Sequence, residues 1–122
     1  MWGEMRNIFV FGSNLAGRHG KGAALHARQK CGAIYGRGYG LQGTSFAIPT
    51  KDIYLRSLPL SDIQCFVEMF ITFAINNPEL TFELTPIGCG LAGFRPEDIA
   101  PFFKDAPTNV ILPMEFKEIL NG

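Results

Sequence analysis

Net charge is missing from this 122-residue chain: eleven Lys and Arg are matched by eleven Asp and Glu, and the sequence pI is near 6.7. That balance excludes a general nucleic-acid coat, which needs surplus cations against phosphate, and leaves room only for a local basic pocket. Cysteine is scarce. Cys31, Cys65 and Cys89 form an odd set with no C-x-x-C pair, which supports neither a disulfide framework nor a zinc knuckle. No metal site is expected, and the expected compartment is a reducing cytoplasm. A long apolar run is lacking too. The longest near-apolar stretch, Ile63 to Ile75, contains Gln64, Glu68 and Thr72, and it is too short to span a bilayer, so no membrane partner is expected. The opening Met1-Trp2-Gly3-Glu4-Met5-Arg6 has no apolar stretch behind a basic head and does not read as a signal peptide. No repeat or linker divides residues 1–122, whose length fits one domain.

What the chain does have is apolar residues, at 47%, and 14 glycines that cluster. Asn7-Ile8-Phe9-Val10-Phe11 is a continuous run of strand formers, as in a strand buried on both faces. A helix is expected from about Lys21 to Lys30, with Ala23, Ala24, Leu25 and Ala27 packing and Arg28 and Lys30 favouring its last turn. Gly32 to Gly43 reads as loop. Thr44 to Ile48 reads as a second strand, ended by Pro49-Thr50-Lys51-Asp52. Ser61-Asp62-Ile63-Gln64 has the form of a capping box, followed by Ile63, Phe66, Val67, Phe70, Ile71 and Ala74 at helical spacing. Asn76-Asn77-Pro78 ends that helix. Phe82 to Ile87 is a third strand and Asn109 to Pro113 a fourth. Between them Pro96 opens a short helix that Pro101 divides, and a terminal helix runs from Met114 to Leu120. Strand and helix alternate throughout, which predicts an α/β fold with a mostly parallel sheet and helices on both faces.

In such a sheet, ligands bind beyond the carboxyl ends of the strands. Three unusual segments fall there: Gly12-Ser13-Asn14 through Gly20-Lys21-Gly22, then Pro49-Thr50-Lys51, then Gly88-Cys89-Gly90-Leu91-Ala92-Gly93. Glycine lets backbone N–H groups approach an anion, and a following helix N-terminus adds partial positive charge. One such loop is most simply a tight turn, whereas two on one edge point to anion binding. Other motifs fail on context. Gly12 to His19 nearly fits a P-loop but lacks its lysine and its Ser or Thr, and Gly38-Tyr39-Gly40-Leu41-Gln42-Gly43 fits G-x-G-x-x-G yet opens no helix. Cys89 does not meet the nucleophile-elbow pattern, because Ile87 and Leu91 stand where glycines are required, so it reads as a small packed residue. His19 reads as a ligand contact rather than a base, and His26 as a helix-surface or semi-buried residue. By spacing alone Lys51 is a solvated amine; at a strand's carboxyl end it is also placed to neutralise a phosphate or to act as nucleophile or base. Arg18, Lys21 and Arg37 share that ambiguity. Arg37 between Tyr35 and Tyr39 suggests base stacking.

Taken together, these segments resemble the macrodomains, which bind ADP-ribose, and within them the branch of DNA ADP-ribosyl glycohydrolase antitoxins and terminal ADP-ribose glycohydrolases. Phe11-Gly12-Ser13-Asn14 with His19-Gly20-Lys21-Gly22-Ala23 is similar to that branch's first strand end and its M-G-K-G-like loop. Phe46-Ala47-Ile48-Pro49-Thr50-Lys51 resembles its F-P-T-K segment, and Pro86-Ile87-Gly88-Cys89-Gly90-Leu91-Ala92-Gly93, followed by Phe94, its P-x-G-C-G phosphate loop. The resemblance covers about Ile8 to Pro113 and implies a small three-layer fold. It implies that Asn14 contacts the distal ribose and that Gly20, Lys21 and Gly22 line the pyrophosphate or that ribose. It implies that Gly88 to Phe94 wrap the phosphates, and that Lys51 opens the glycosidic bond. Gly12, Ser13, His19 and Thr50 complete the implied binding set, and no cofactor is implied. Three departures stand out. The family's N-A-A-N is reduced to Gly12-Ser13-Asn14, Ala92 occupies the place of an aspartate found in some relatives, and only Met1 to Arg6 precede the first strand, where many macrodomains carry an adenine-binding one. The glycine-rich insert with Tyr35, Arg37 and Tyr39 could substitute.

Three functions follow as expectations. The first is an enzyme that removes ADP-ribose from a macromolecule, with Lys51 and Asn14 as its catalytic residues. The second is a non-catalytic reader or sponge of an ADP-ribose-type ligand. The third is a single-stranded nucleic-acid binder using Arg37 and the tyrosines. The many phenylalanines read as core packing and fix no oligomeric state.

Overall fold

Alternation along the first strand sets the architecture. β1 (Asn7–Asn14) places Ile8 and Val10 in one apolar cluster and Phe9 and Phe11 in another. Successive strand side chains point to opposite faces, so the sheet carries a core on each side. Helix α1 (Gly22–Lys30) contributes Ala24 and Ala27 to the smaller core. Helix α2 (Leu60–Asn76) buries Ile63, Val67, Phe70 and Ala74 in the larger one, a single stripe at spacings of four and three. Phe70 sits at the centre of that core, its ring centroid 5.0 Å from Phe46 and 5.3 Å from Phe82, both edge-to-face. The computed structural model describes residues 7–122. The readings of Met1 to Arg6, as no signal peptide and as too short for an adenine-binding strand, lie outside those residues.

The sheet has five strands in the order β2-β3-β1-β4-β5, with β2 (Gly40–Gln42), β3 (Ser45–Lys51), β4 (Thr81–Leu84) and β5 (Val110–Ile111). All neighbours run parallel except β2 and β3. Helix α3 (Pro96–Ile99) passes into a 3₁₀ turn over Ala100–Phe103, the division expected at Pro101, and α4 (Met114–Asn121) ends the chain. No helix among the described residues is long and apolar enough to cross a membrane.

Four local expectations need correction. The stretch Gly32 to Gly43 is not all loop: β2 lies at its end, because Gln42 pairs with Ser45 across the two-residue turn Gly43-Thr44. Gly43 has φ +58, the positive φ that such hairpin turns demand, so the glycine that argued against a strand is what makes one. Second, Ser61 does not cap α2. That helix starts at Leu60 after Pro59, whose fixed φ of −56° sets its entry, with no side-chain cap. A reaching-back bond of that type occurs instead at α3, where the Arg95 N–H donates to Asp98 Oδ2 at 2.9 Å. Third, β1 and β3 run three residues further than expected, to Asn14 and Lys51. Pro49 is tolerated within β3 because the Phe9 N–H bonds the Thr44 carbonyl, which, up to the register shift that follows Pro49, turns even-numbered residues of β3 toward β1 and odd-numbered ones toward β2. The β2 ladder stops at Ala47, so the N–H that proline lacks has no strand to serve. Fourth, β4 ends at Leu84 rather than Ile87. There the N–H and Oγ1 of Thr85 both bond the Val10 carbonyl, at 3.0 and 2.7 Å, and the chain turns away.

Candidate functional site

Because β3, β1 and β4 are parallel neighbours, the segments that leave their carboxyl ends emerge side by side. They enclose one cleft of about 820 Å³. Buried polar side chains gather beneath it: of the six among the described residues, Ser13, Asn14, His19 and Thr50 lie at or just beyond the ends of β1 and β3. A protein spends buried polarity where backbone or ligand must be held.

The walls are backbone-rich. On one side α1 starts at Gly22 without a side-chain cap and with no acidic residue in its first turn, so its first N–H groups find no acceptor among the described residues. Gly22, Ala23 and Ala24, which carry them, line the cleft. On the other side lies the loop from Thr85 to Phe94. It is folded by its own bonds: Cys89 N–H to Pro86 O at 3.2 Å, Gly93 N–H to Gly90 O at 3.0 Å and Phe94 N–H to Gly88 O at 2.8 Å. The N–H groups of Gly90, Leu91 and Ala92 find no acceptor among the described residues, and all three residues line the cleft. Two sets of vacant amides, one at a helix N-terminus and one in a glycine loop, thus share one space, an arrangement suited to an anion with two charged groups. The glycines matter for room. A Cβ on Gly20, Gly22 or Gly90 would meet nothing within 4 Å, so these positions face open cleft rather than packed protein.

The loop after β1 is stapled by Asn14. Its Nδ2 donates to the Arg18 carbonyl at 3.0 Å, and its Oδ1 accepts from the Arg18 N–H at 2.9 Å. One Nδ2 hydrogen and one Oδ1 lone pair remain for a ligand. Ser13 Oγ donates to the Asn14 carbonyl at 3.3 Å and lies 3.1 Å from His19 Nε2. Thr50 Oγ1 donates to the Ser13 carbonyl at 3.3 Å and locks β3 to β1 beside the site. Lys51, half-buried at the end of β3, lines the cleft, and its carbonyl accepts the Leu15 N–H at 2.9 Å. Beyond it a turn over residues 52–57 folds around Asp52, whose Oδ1 accepts the N–H groups of Tyr54 and Arg56 at 2.8 and 2.9 Å. Those bonds, the Arg56 N–H foremost, hold the Asp52 carboxyl below its ordinary value. Ser57 at the end of this turn bonds the Ala92 carbonyl and ties it to the glycine loop across the cleft.

Most of the expected site residues therefore come together: Gly12, Ser13, Asn14, Gly20, Lys21, Gly22, Thr50, Lys51, and Gly88 through Ala92 all line one space. Three do not. His19 is wholly buried behind Ser13, edge-on to Phe11 at 5.1 Å, so it supports the wall instead of forming it. Burial pulls its imidazole below the ordinary value; the Arg37 backbone opposes that shift and the Arg28 charge adds to it. Burial therefore favours the neutral ring over the charged one. Gly93 and Phe94 also stand off the cleft, their amides spent inside the loop. Cys89 lines the site, but burial first, then the carboxylates of Glu115, Asp98 and Glu97, push its thiol up, so it is no activated nucleophile.

Sequence reasoning missed Glu115, from α4, as a lining residue; Tyr35, which it named only as part of the glycine-rich insert, lines the cleft as well. Nothing near Glu115 in the chain signals its place, which depends on how α4 packs against α3. Tyr39, expected beside Tyr35, instead packs inward on Phe46 and Phe66 at 5.4 and 5.8 Å. No group of metal-ligating residues occurs among the described residues. No family model, curated protein or solved structure matches the chain.

Proposed function

We propose that this is a small three-layer, macrodomain-like protein whose cleft binds ADP-ribose or a related NAD-derived nucleotide. The observation that carries the reading is the pair of vacant-amide walls, Gly22 to Ala24 and Gly90 to Ala92, facing one cleft beside Lys51. Such walls grip a diphosphate through backbone donors and a helix N-terminus, without a metal and without surplus net charge. With the diphosphate held there, Lys51 serves as nucleophile or base at the distal ribose, and the activity is hydrolysis of an ADP-ribosyl linkage on a macromolecule.

One observation favours a non-catalytic reader or sponge. The Asn14 amide, which would position the distal ribose for chemistry, is pinned by Arg18 through one Nδ2 hydrogen and one Oδ1 lone pair, which leaves it one of each for a ribose and no freedom to reorient.

Calorimetry with ADP-ribose, AMP and ATP tests the binding reading, and Lys51→Ala tests the chemistry. ADP-ribose is expected to bind at least tenfold more tightly than AMP or ATP. Lys51→Ala is expected to abolish release of ADP-ribose from a modified oligonucleotide or protein while binding persists. No heat with ADP-ribose ends the binding reading; binding without turnover in the unsubstituted protein assigns the reader.

A further inference from the structure

Charge balances over the chain but not within it. Residues 7–51 carry six Lys and Arg and no acid, whereas residues 52–122 carry ten acids and four cations. From Ser57 to Phe94 there is no Lys or Arg at all, so α2 and its flanks carry acids alone. Among the described residues the one ion pair joins Arg56 to Asp52, so no salt bridge joins the basic stretch to the acidic one within a molecule.

The fold turns this division along the chain into a division between faces. α1 and Ala33 of the glycine-rich insert close the smaller core on one side of the sheet, and α2 closes the larger core on the other. The outer surface of the first side presents Arg28, Lys30 and Arg37, all exposed, beside two uncovered apolar side chains, Ile34 and Tyr35, 45% and 56% exposed. The Arg28 guanidinium lies over the Tyr35 ring at 5.1 Å, so cation and apolar surface form one patch. On the second side the solvent surface of α2 presents Asp62 and Glu68 with Met69 and Ile75, the last two 49% and 56% exposed. One acid departs from the division: Phe82 and Leu84 belong to the larger core, so Glu83 between them faces the α1 side.

We infer that these two faces are the halves of one contact, in which a second copy of this chain sets its α2 surface on the Arg28, Ile34, Tyr35 and Arg37 surface of the first. Each face has an apolar centre and charges of one sign, and the signs are opposite. A nucleic-acid strand would satisfy the cations and leave Met69 and Ile75 bare, whereas an identical molecule covers both faces. Zero net charge removes the long-range repulsion that keeps like molecules apart. Because the faces differ and lie on opposite sides of the sheet, the contact is head-to-tail, and copies add in one direction until a ring closes or concentration limits the chain. Arg28, Arg37, Glu68 and Met69 do not line the cleft, so the contact is independent of what the cleft binds.

Sedimentation equilibrium tests this. At about 0.1 M salt the mass is expected to rise with protein concentration, up to about 1 mM chain, to at least twice the 13.5 kDa of one copy. Raising salt to about 1 M shortens the Debye length from about 10 to about 3 Å and should return the mass toward one copy. Two charge-reversed variants then locate the contact: Arg28→Glu with Arg37→Glu on one face, and Glu68→Lys with Met69→Lys on the other. Each alone should stay at the mass of one copy while keeping the circular-dichroism spectrum of the unsubstituted protein. An equimolar mixture should regain at least twice that mass, since each variant keeps the face the other has lost. A mass of one copy at every concentration in the lower salt overturns the proposal, and binding of a short oligonucleotide that Arg28→Glu with Arg37→Glu abolishes would then assign the basic face to nucleic acid. Variants that still associate alone, or a mixture that does not regain mass, overturn it as well.

Discussion

His19 Nε2 stands 3.1 Å from Ser13 Oγ, and no atom of the ring reaches solvent. The imidazole is a strut between the core and the cleft wall. Its other nitrogen, Nδ1, has no hydrogen-bond partner among the described residues, so the ring gains little from being charged.

The consequence is a pH dependence with a definite sign. Folding depresses the His19 pKa, so the unfolded chain binds the extra proton more readily. The contribution of His19 to stability is complete above the unfolded value, about 6.5, and is lost as pH falls from there through the folded value. Melting temperature is therefore expected to fall between about pH 7 and 5, and His19→Gln, which cannot take up that proton, should show a smaller fall. Equal slopes in both proteins would show that carboxylates elsewhere carry the effect.

Asn14 and Arg18 exchange two hydrogen bonds at a part-buried place, so truncation leaves a backbone N–H and a carbonyl without partners. Asn14→Ala is expected to cost about 1–3 kcal/mol in urea denaturation, more than the loss of an exposed amide. A change under about 0.5 kcal/mol would mean that water replaces the staple at no cost.

How far the chain could be read follows from which forces act locally. The continuous apolar runs of β1 and β3 and the helical stripe of α2 are local patterns, so the parallel order and the shared loop edge were legible. The span of β3 through Pro49 was not, because tolerance of proline there depends on where the neighbouring β2 ladder stops. His19 was misplaced for a similar reason: a polar residue in a glycine-rich loop looks exposed until the Arg37 segment closes over it. Glu115 and Tyr35 reach the cleft only through tertiary packing.

Phe70 packs edge-to-face on Phe46 and Phe82 and contacts Phe103 at 6.4 Å, so it joins strands, α2 and the 3₁₀ turn. Phe70→Ala should cost about 3–5 kcal/mol, and Phe70→Leu clearly less, since leucine keeps most of the volume. Against a domain stability of about 5–15 kcal/mol the alanine variant should show a sharply lowered urea midpoint. A midpoint like that of Phe70→Leu would mean that the core collapses around the cavity.

Two glycines in one loop should behave in opposite ways. Gly88 has φ +77, and a Cβ there would approach Ile99 Cδ1 to 3.2 Å. Gly88→Ala therefore meets both backbone strain and the core, and should lose about 1–2 kcal/mol of stability. Gly90 has no such φ, and a Cβ there meets nothing within 4 Å. Gly90→Val should fold with a melting temperature within about 2 °C of the unsubstituted protein, because nothing packed is disturbed. Its branched side chain would nonetheless stand among the vacant amides of Gly90, Leu91 and Ala92 and screen them from an anion. ADP-ribose affinity measured by calorimetry should then drop at least tenfold. An unchanged affinity in a well-folded Gly90→Val would mean that the loop does not grip the diphosphate.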